Sequence, residues 1–475
     1  MSSTVDWAEV DSKANFDDRS KTLKPIIDKA LELKLLNEET DCHLIDVYNL
    51  DAFDERIEDL LRAFPEKHIL HAFAVKSQPL AGILKHAVSK YPQIGLECAS
   101  FGEAWLAHEI GTQSSHIVYD SPVKTRQELE KSIQHGFHIN IDNVSEMEMI
   151  DEILKKPGVE TKATFGLRIN PLVGEGGLAM SSTAGKGSKF GLIFCEETLE
   201  GLVKVYKRYP WLQGVHCHVG SQGCSLDLLS NGAITILRAA EALNKALGKQ
   251  QVNILDIGGG VPTSYISEKE AVSFSKYREA IQTKVPEFFD GKYRIITEFG
   301  RSVFTKYGVT LTRISSVKGS DAGSEDEFDR LRGKNNLNRI LLTHVGSNAF
   351  LREAYQIASK AWRRRFTVFD KDGNEKVSST DEFCMYDVAG PLCFQGDYIA
   401  KDISLPKSIN KDDILVMHDT GGYTYALYSH YNSRSPHDVY TVQKGDGGEL
   451  KFNNIRPRSS LEETIAFWNY EQFKN

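Results

Sequence analysis

At 475 residues the chain exceeds what one ordinary core accommodates, so two or three domains are expected. Hydrophobic residues make up 41% and charged residues 26%, as in a globular protein, and a net charge of −8 argues against nucleic acid or an anionic membrane as main partner. No apolar run is long enough to span a bilayer, and the seven scattered cysteines lack CxxC spacing, which points to reduced thiols in a cytoplasmic protein and to no metal site.

The N-terminal stretch MSSTVDWAEVDSKANFDD is acidic and polar, unlike a secretory signal or an Arg-rich transit peptide, and residues 1–42 read as an extension. Between 43 and 312, short β-rich runs alternate with helical stretches. Strand candidates are 43–48, 69–75, 94–96, 115–119, 138–141, 162–169, 214–219, 252–257 and 294–297. The segment 51–64 carries Phe53, Ile57, Leu60, Leu61 and Phe64 at helical spacing. About eight strand–helix units favour a closed (β/α)8 barrel, with the first strand a candidate to join the following domain. From 313 to 475 the strand candidates 383–388, 414–418 and 438–442 suggest an antiparallel β domain. Two polar stretches near 318–336 and 363–380 read as insertions or mobile loops.

Polar or glycine-rich groups directly follow several barrel strands: Lys76, Glu97, the run 216–221, Gly258–Gly260, and Glu298 through Arg301. In a (β/α)8 barrel such strand ends share one mouth. A lysine there is poorly hydrated and suited to imine chemistry, although alone it could equally be a rim charge. Three glycines let backbone N–H groups approach a phosphate, or simply make a tight turn. Arg301 could add charge to that phosphate or form a surface ion pair. Glu298 could protonate a heterocycle nitrogen or form a structural salt bridge, and His218 could lie against an aromatic ring or be a core histidine. Together these parts describe pyridoxal 5′-phosphate, which needs a lysine for its aldehyde, N–H donors and a cation for its phosphate, and an acid for its ring nitrogen. With no Walker A lysine and no GxGxxG, NAD or ATP is a poorer fit.

The same segments carry a family resemblance. AVKSQP around Lys76, GLECASFGE (95–103), LRINP (167–171), SKFGL (188–192), HCHVGSQ (216–222), LDIGGG (255–260), EFGRS (298–302), GPLCFQGD (390–397) and GGYTYALYSHYNSR (421–434) occur in the family's order. In them the chain resembles the fold-type III pyridoxal-phosphate decarboxylases, which include the diaminopimelate, ornithine and arginine decarboxylases, and most of all the first. The resemblance implies an alanine-racemase-like barrel followed by an antiparallel β-sandwich. It implies that Lys76 carries the cofactor, His218 stacks on its ring and Glu298 pairs with its nitrogen. Ser221, Gly258, Gly259, Gly260 and Arg301 would surround the phosphate, with Tyr431 a further contact, and Glu97, Arg168 and Gly300 would lie near the cofactor. A homodimer with shared sites is implied, in which Cys393, the proton donor, and Tyr423 come from the neighbouring subunit.

Three departures bear on the substrate. Phe394 stands where diaminopimelate decarboxylases usually place Glu, so recognition of a distal ammonium loses its most direct support. HVGSNAFLREAYQ keeps Arg352 and Tyr355, which could still bind a distal carboxylate. EFGRS in place of EPGRS is expected to change only local backbone freedom around Glu298 and Arg301. Diaminopimelate or a related amino diacid is the first expectation and a bulkier amino acid the second. A non-catalytic regulatory homologue is disfavoured because Lys76, His218, Glu298, Arg301 and Cys393 are all kept. Alanine-racemase chemistry is disfavoured by GPLCFQGD and by a glutamate at the ring nitrogen.

Overall fold

The computed structural model describes residues 18–177, 182–319, 338–359, 362–376 and 382–469. They form two compact units, one from the described residues within 54–263 and 270–304, the other from those within 18–53, 264–269 and 305–469. Strand β1 (Leu44–Asn49) belongs to the second unit. The first unit holds β2 (Ile69–Ala74), β3 (Gly95–Cys98), β4 (Ile117–Asp120), β5 (His138–Ile141), β6 (Thr164–Asn170), the two-residue β7 (Leu192–Ile193), β8 (Leu212–His216), β9 (Ile254–Asp256) and β10 (Arg294–Thr297). Leaving β7 aside, eight strands pair in parallel in the order 2-3-4-5-6-8-9-10, and β10 pairs with β2 to close the barrel. These strands are buried along nearly their whole length, as parallel strands covered on both faces must be. Leu70, Ala72, Val118, Ile254 and Ile296 pack together within this unit.

The crossover helices start and stop where local chemistry dictates. Thr125 and Glu128 form a capping box at the start of Arg126–His135, and Gly136 ends it in the left-handed conformation at φ 78°. Ser225 caps the 22-residue helix Leu226–Leu247, which closes on Gly248 at φ 67°. Among the described residues, no helix is long and apolar enough to cross a membrane.

The second unit contains β11 (Gly308–Lys318), β12 (Arg339–Thr343), β13 (Phe366–Phe369), β14 (Phe383–Ala389), β15 (Tyr398–Pro406), β16 (Ile414–Met417), β17 (Asp438–Lys444) and β18 (Leu450–Arg456). The sheet runs β15-β14-β12-β11-β1-β17-β18, with β16 on β11 and β13 on β16. Antiparallel pairs dominate, but β1–β17 and β12–β14 are parallel, so the sheet is mixed. β1 pairs with β11 and β17, which makes it a strand of this unit. The segment read as an extension also contributes here: Leu23, Ile26, Ile27 and Ala30 of the helix Asp18–Glu32 are buried against Ile45, Val47 and Leu311.

One expectation is corrected. Within the stretch 363–380, residues 363–369 are not a surface insertion, since Arg363, Arg364 and Arg365 are at most 4% exposed and lead into β13, while 377–380 lie outside the described residues. The charges of Arg364 and Arg365 are neutralised inside the unit, with Arg364 2.7 Å from Glu353 and Arg365 3.0 Å from Asp419 and paired with Glu268. The stretch 318–336 lies, beyond Gly319, outside the described residues.

Candidate active site

Each barrel group lies at or just past the C-terminal end of its strand. Lys76 sits in the single 3₁₀ turn Val75–Ser77 after β2, about one-third exposed, with its ammonium on the carboxylate of Glu97 in β3. Glu97 itself is fully buried. Burial pushes its carboxyl up to about 8, against the opposing pull of Lys76. Arg168 of β6 is 5% exposed, 2.7 Å from Asp120, with its guanidinium 4.2 Å from the centre of the Phe190 ring. Phe190 belongs to the SKFGL segment, so that segment positions Arg168 by stacking.

His218 follows β8. Its Nδ1 accepts the backbone N–H of Gly259 at 3.1 Å, which leaves Nε2 as the protonated nitrogen of a neutral ring. Burial depresses this imidazole to about 3, against the attraction of Glu298, whose carboxylate is 4.0 Å away. Glu298, after β10, is 3% exposed. Burial works to raise its carboxyl, but His216, Lys76 and His218 together outweigh that and hold it well below the usual carboxylate range. Arg301 is 4% exposed, with Nε and Nη2 each 3.4 Å from the Ser221 hydroxyl.

Gly258–Gly260 pack too closely for side chains. Gly258 and Gly260 have φ of +65° and +107°, and a Cβ on Gly259 would lie 2.2 Å from the Glu298 carbonyl oxygen. Backbone, and not side chain, therefore forms this wall. The residues fit pyridoxal phosphate on these observations: an amine at Lys76, a guanidinium and hydroxyl side by side at Arg301 and Ser221, a wall of backbone without side chains at the glycines, an ionised acid at Glu298 and a neutral imidazole at His218. When bound, the cofactor supplies an electron sink for carbanion chemistry.

EFGRS departs from EPGRS in more than backbone freedom. Phe299 is fully buried and packs on His71, Phe274 and Tyr277, with ring centroids 6.0, 5.3 and 6.0 Å apart. The position is a core residue, and its aromatic packing fixes the turn that carries Glu298 and Arg301.

The remaining candidates lie in the second unit, and the structure groups them there. Cys393 is exposed, and its N–H donates to Asn432 Oδ1 at 2.8 Å. Phe394 stacks on Tyr355 at 6.2 Å and meets Tyr431 edge-on at 6.5 Å, each ring at least 41% exposed. Arg352 places its guanidinium 4.5 Å from the Tyr423 ring centre and 5.2 Å from that of Trp362.

Sequence reasoning missed Asp120 and His216. Asp120 ends β4 and His216 ends β8, the same signal that marked Glu97 and Glu298. His216 even opens the HCHVGSQ motif, but its partners are distant in sequence.

A barrel whose strand ends gather a lysine, paired acids, a neutral histidine and a phosphate-type cradle defines the class of protein: an enzyme built to hold an imine-forming cofactor. The family comparison names it further. Residues 50–305 match the model of the pyridoxal-dependent decarboxylase, pyridoxal binding domain, and the chain belongs to that family. Its cofactor is pyridoxal phosphate and its class of reaction is decarboxylation of an amino acid. Similar curated proteins include diaminopimelate decarboxylase of Zymomonas mobilis, 29% identical over 83% of this chain and 85% of the relative. The enzyme of the same name from Aquifex aeolicus is 25% identical over 84% of this chain and 86% of its own length. Among solved structures, a mutant of diaminopimelate decarboxylase from Helicobacter pylori complexed with L-lysine superposes with a TM-score of 0.75 at 25% identity, covering 91% of this chain and 98% of that one.

Proposed function

We propose that this decarboxylase acts on diaminopimelate or a related amino diacid, as a cytoplasmic homodimer with shared active sites. The observation that carries the reading is the convergence of Lys76, Glu97, His218, Glu298 and Arg301 on one barrel mouth, in a chain whose curated relatives are called diaminopimelate decarboxylases. In this reading Lys76 holds the cofactor, and Glu97 takes and returns a proton at its Nζ. Glu298 accepts a hydrogen bond from the protonated ring nitrogen, and Ser221, Gly258–Gly260, Gly300, Arg301 and Tyr431 bind the phosphate. His218 covers one ring face, and Arg168 lies near the cofactor. Cys393 and Tyr423 reach the site from the partner subunit, and Cys393 donates the proton to the carbon that loses CO₂. Arg352 and Tyr355 bind the distal carboxylate of the diacid.

Phe394 supports a second reading, a bulkier and more apolar amino acid. Its ring joins Tyr355 and Tyr431 in an aromatic patch, and none of these side chains pairs with an ammonium as a carboxylate would. CO₂ release by the purified protein across a panel of amino acids separates the two. Turnover of meso-diaminopimelate at a higher kcat/KM than any apolar acid is the expected result. Silence on meso-diaminopimelate beside turnover of a bulky apolar acid would overturn the diacid reading.

A further inference from the structure

His216 has no part in the roles above, yet it is fully buried in the same motif as His218. It ends β8 in register with Arg168 of β6 and Asp256 of β9. Nδ1 lies 3.8 Å from Asp120 Oδ1, and Nε2 lies 3.6 Å from Glu298 Oε1. On the far side of Asp120 stands Arg168, 2.7 Å from its other oxygen. Arg168, Asp120, His216 and Glu298 thus form a buried row.

Both ring nitrogens of His216 face carboxylate oxygens. A neutral imidazole would turn a lone pair toward one of them, whereas only the imidazolium offers a proton to each. Two acids this deeply buried also require compensating charge.

We propose that His216 is a positioning residue, a buried cation between Asp120 and Glu298 that keeps the Glu298 carboxylate ionised and directed at the heterocycle nitrogen of the cofactor. The role rests on the reading of the barrel mouth given above. With a neutral group at position 216, Glu298 competes for the ring proton. A carboxylic acid then faces an unprotonated nitrogen, and the ring withdraws electrons less strongly.

The surroundings agree with this assignment. Burial opposes charge on His216, but Asp120, Asp256 and Glu298 raise the imidazole to about 9. Arg168 on β6 is occupied by Asp120. On β5, His138 is held down to about 3 by burial, and its Nε2 pairs with Asn140, whose amide in turn donates to Asp256 at 2.8 Å. On the other side of Glu298, His218 is neutral and Lys76 contacts Glu97. His216 is therefore the cation that lies between the two acids.

The test uses holoenzyme carrying ¹⁵N-labelled pyridoxal phosphate. Wild type is expected to show a protonated ring nitrogen, and His216→Gln a resonance moved toward the unprotonated position. In that variant kcat should fall tenfold or more with KM changed less than threefold. If His216→Gln does not fold, Asp120→Asn retains the imidazole and Glu298. It should lower the pH at which His216 releases its proton, followed by imidazole ¹⁵N shifts, by at least one unit. An unmoved ring nitrogen in His216→Gln, or a neutral His216 in wild type at pH 7.5, overturns the role of His216 alone. Failure of wild type to take up the cofactor overturns the barrel-mouth reading and this role with it.

Discussion

Replacing Gly259 with alanine tests whether the glycine wall and Glu298 are packed as described. The new Cβ would lie 2.2 Å from the Glu298 carbonyl oxygen and 3.1 Å from its carbon, where real contacts stay above 3.0 Å. That carbonyl is backbone just past β10, so it cannot swing aside as a flexible side chain would, and the two segments must separate by roughly 0.8 Å or more. Overpacking of this kind costs about 1–3 kcal/mol. For a domain the size of the barrel unit, that lowers the melting temperature by about 2–12 °C. The same displacement moves the Gly259 N–H away from His218 Nδ1 and shifts Glu298, so affinity for pyridoxal phosphate should fall as well. Gly201→Ala is the matched control. It lies in the helix Leu199–Arg208 with open space around the added methyl, and it should gain up to about 1 kcal/mol. Thermal melts and cofactor titrations of both variants decide the matter. A Gly259→Ala protein that melts and binds cofactor like wild type would refute the packing argument.

Lys124 and Glu146 form a buried pair at 2.6 Å, and the Lys124 ammonium also donates to the carbonyls of Ser121 and Asn140. Lys124→Met should destabilise by about 3–5 kcal/mol in urea unfolding, and Lys124→Met with Glu146→Leu should recover most of it. His216 rises from 6.5 to about 9 on folding, so its contribution is fully present below pH 6.5 and is lost as pH rises through 9. That amounts to about 3 kcal/mol, and the stability gap between wild type and His216→Gln should close between pH 6.5 and 9.5. A gap that stays constant would contradict the assignment. Phe394→Glu should shift kcat/KM toward meso-diaminopimelate over a bulky apolar acid by about tenfold or more, measured as CO₂ release.

The barrel was legible because parallel strands covered on both faces leave compact apolar runs. Ile69–Ala74 is buried at every position, and His138–Ile141 likewise. β15 escaped notice because exposed and buried positions mix along it, and β18 because none of its positions is buried; Lys401, Asp402, Lys451 and Asn453 mask the two strands. β13 was hidden by the three arginines before it. A sequence shows their charge but not Asp419, Glu353 and Glu268, which absorb that of Arg364 and Arg365. At the site, Lys76, His218, Glu298 and Arg301 stood out through their motifs. Asp120 and His216 did not, because their significance is a pairing across the barrel between strands far apart in the chain. Phe299 was read as a change of backbone freedom because its ring finds a place among His71, Phe274 and Tyr277 only once the strands close.

Lys76 bears the central claim. Wild-type protein should be incubated with pyridoxal phosphate, treated with borohydride to fix the cofactor covalently on its lysine, then digested and mapped by mass spectrometry. The cofactor's mass on the peptide containing Lys76, and its absence from Lys76→Ala, is the predicted result. An unmodified Lys76, or the label carried by another lysine, would contradict it.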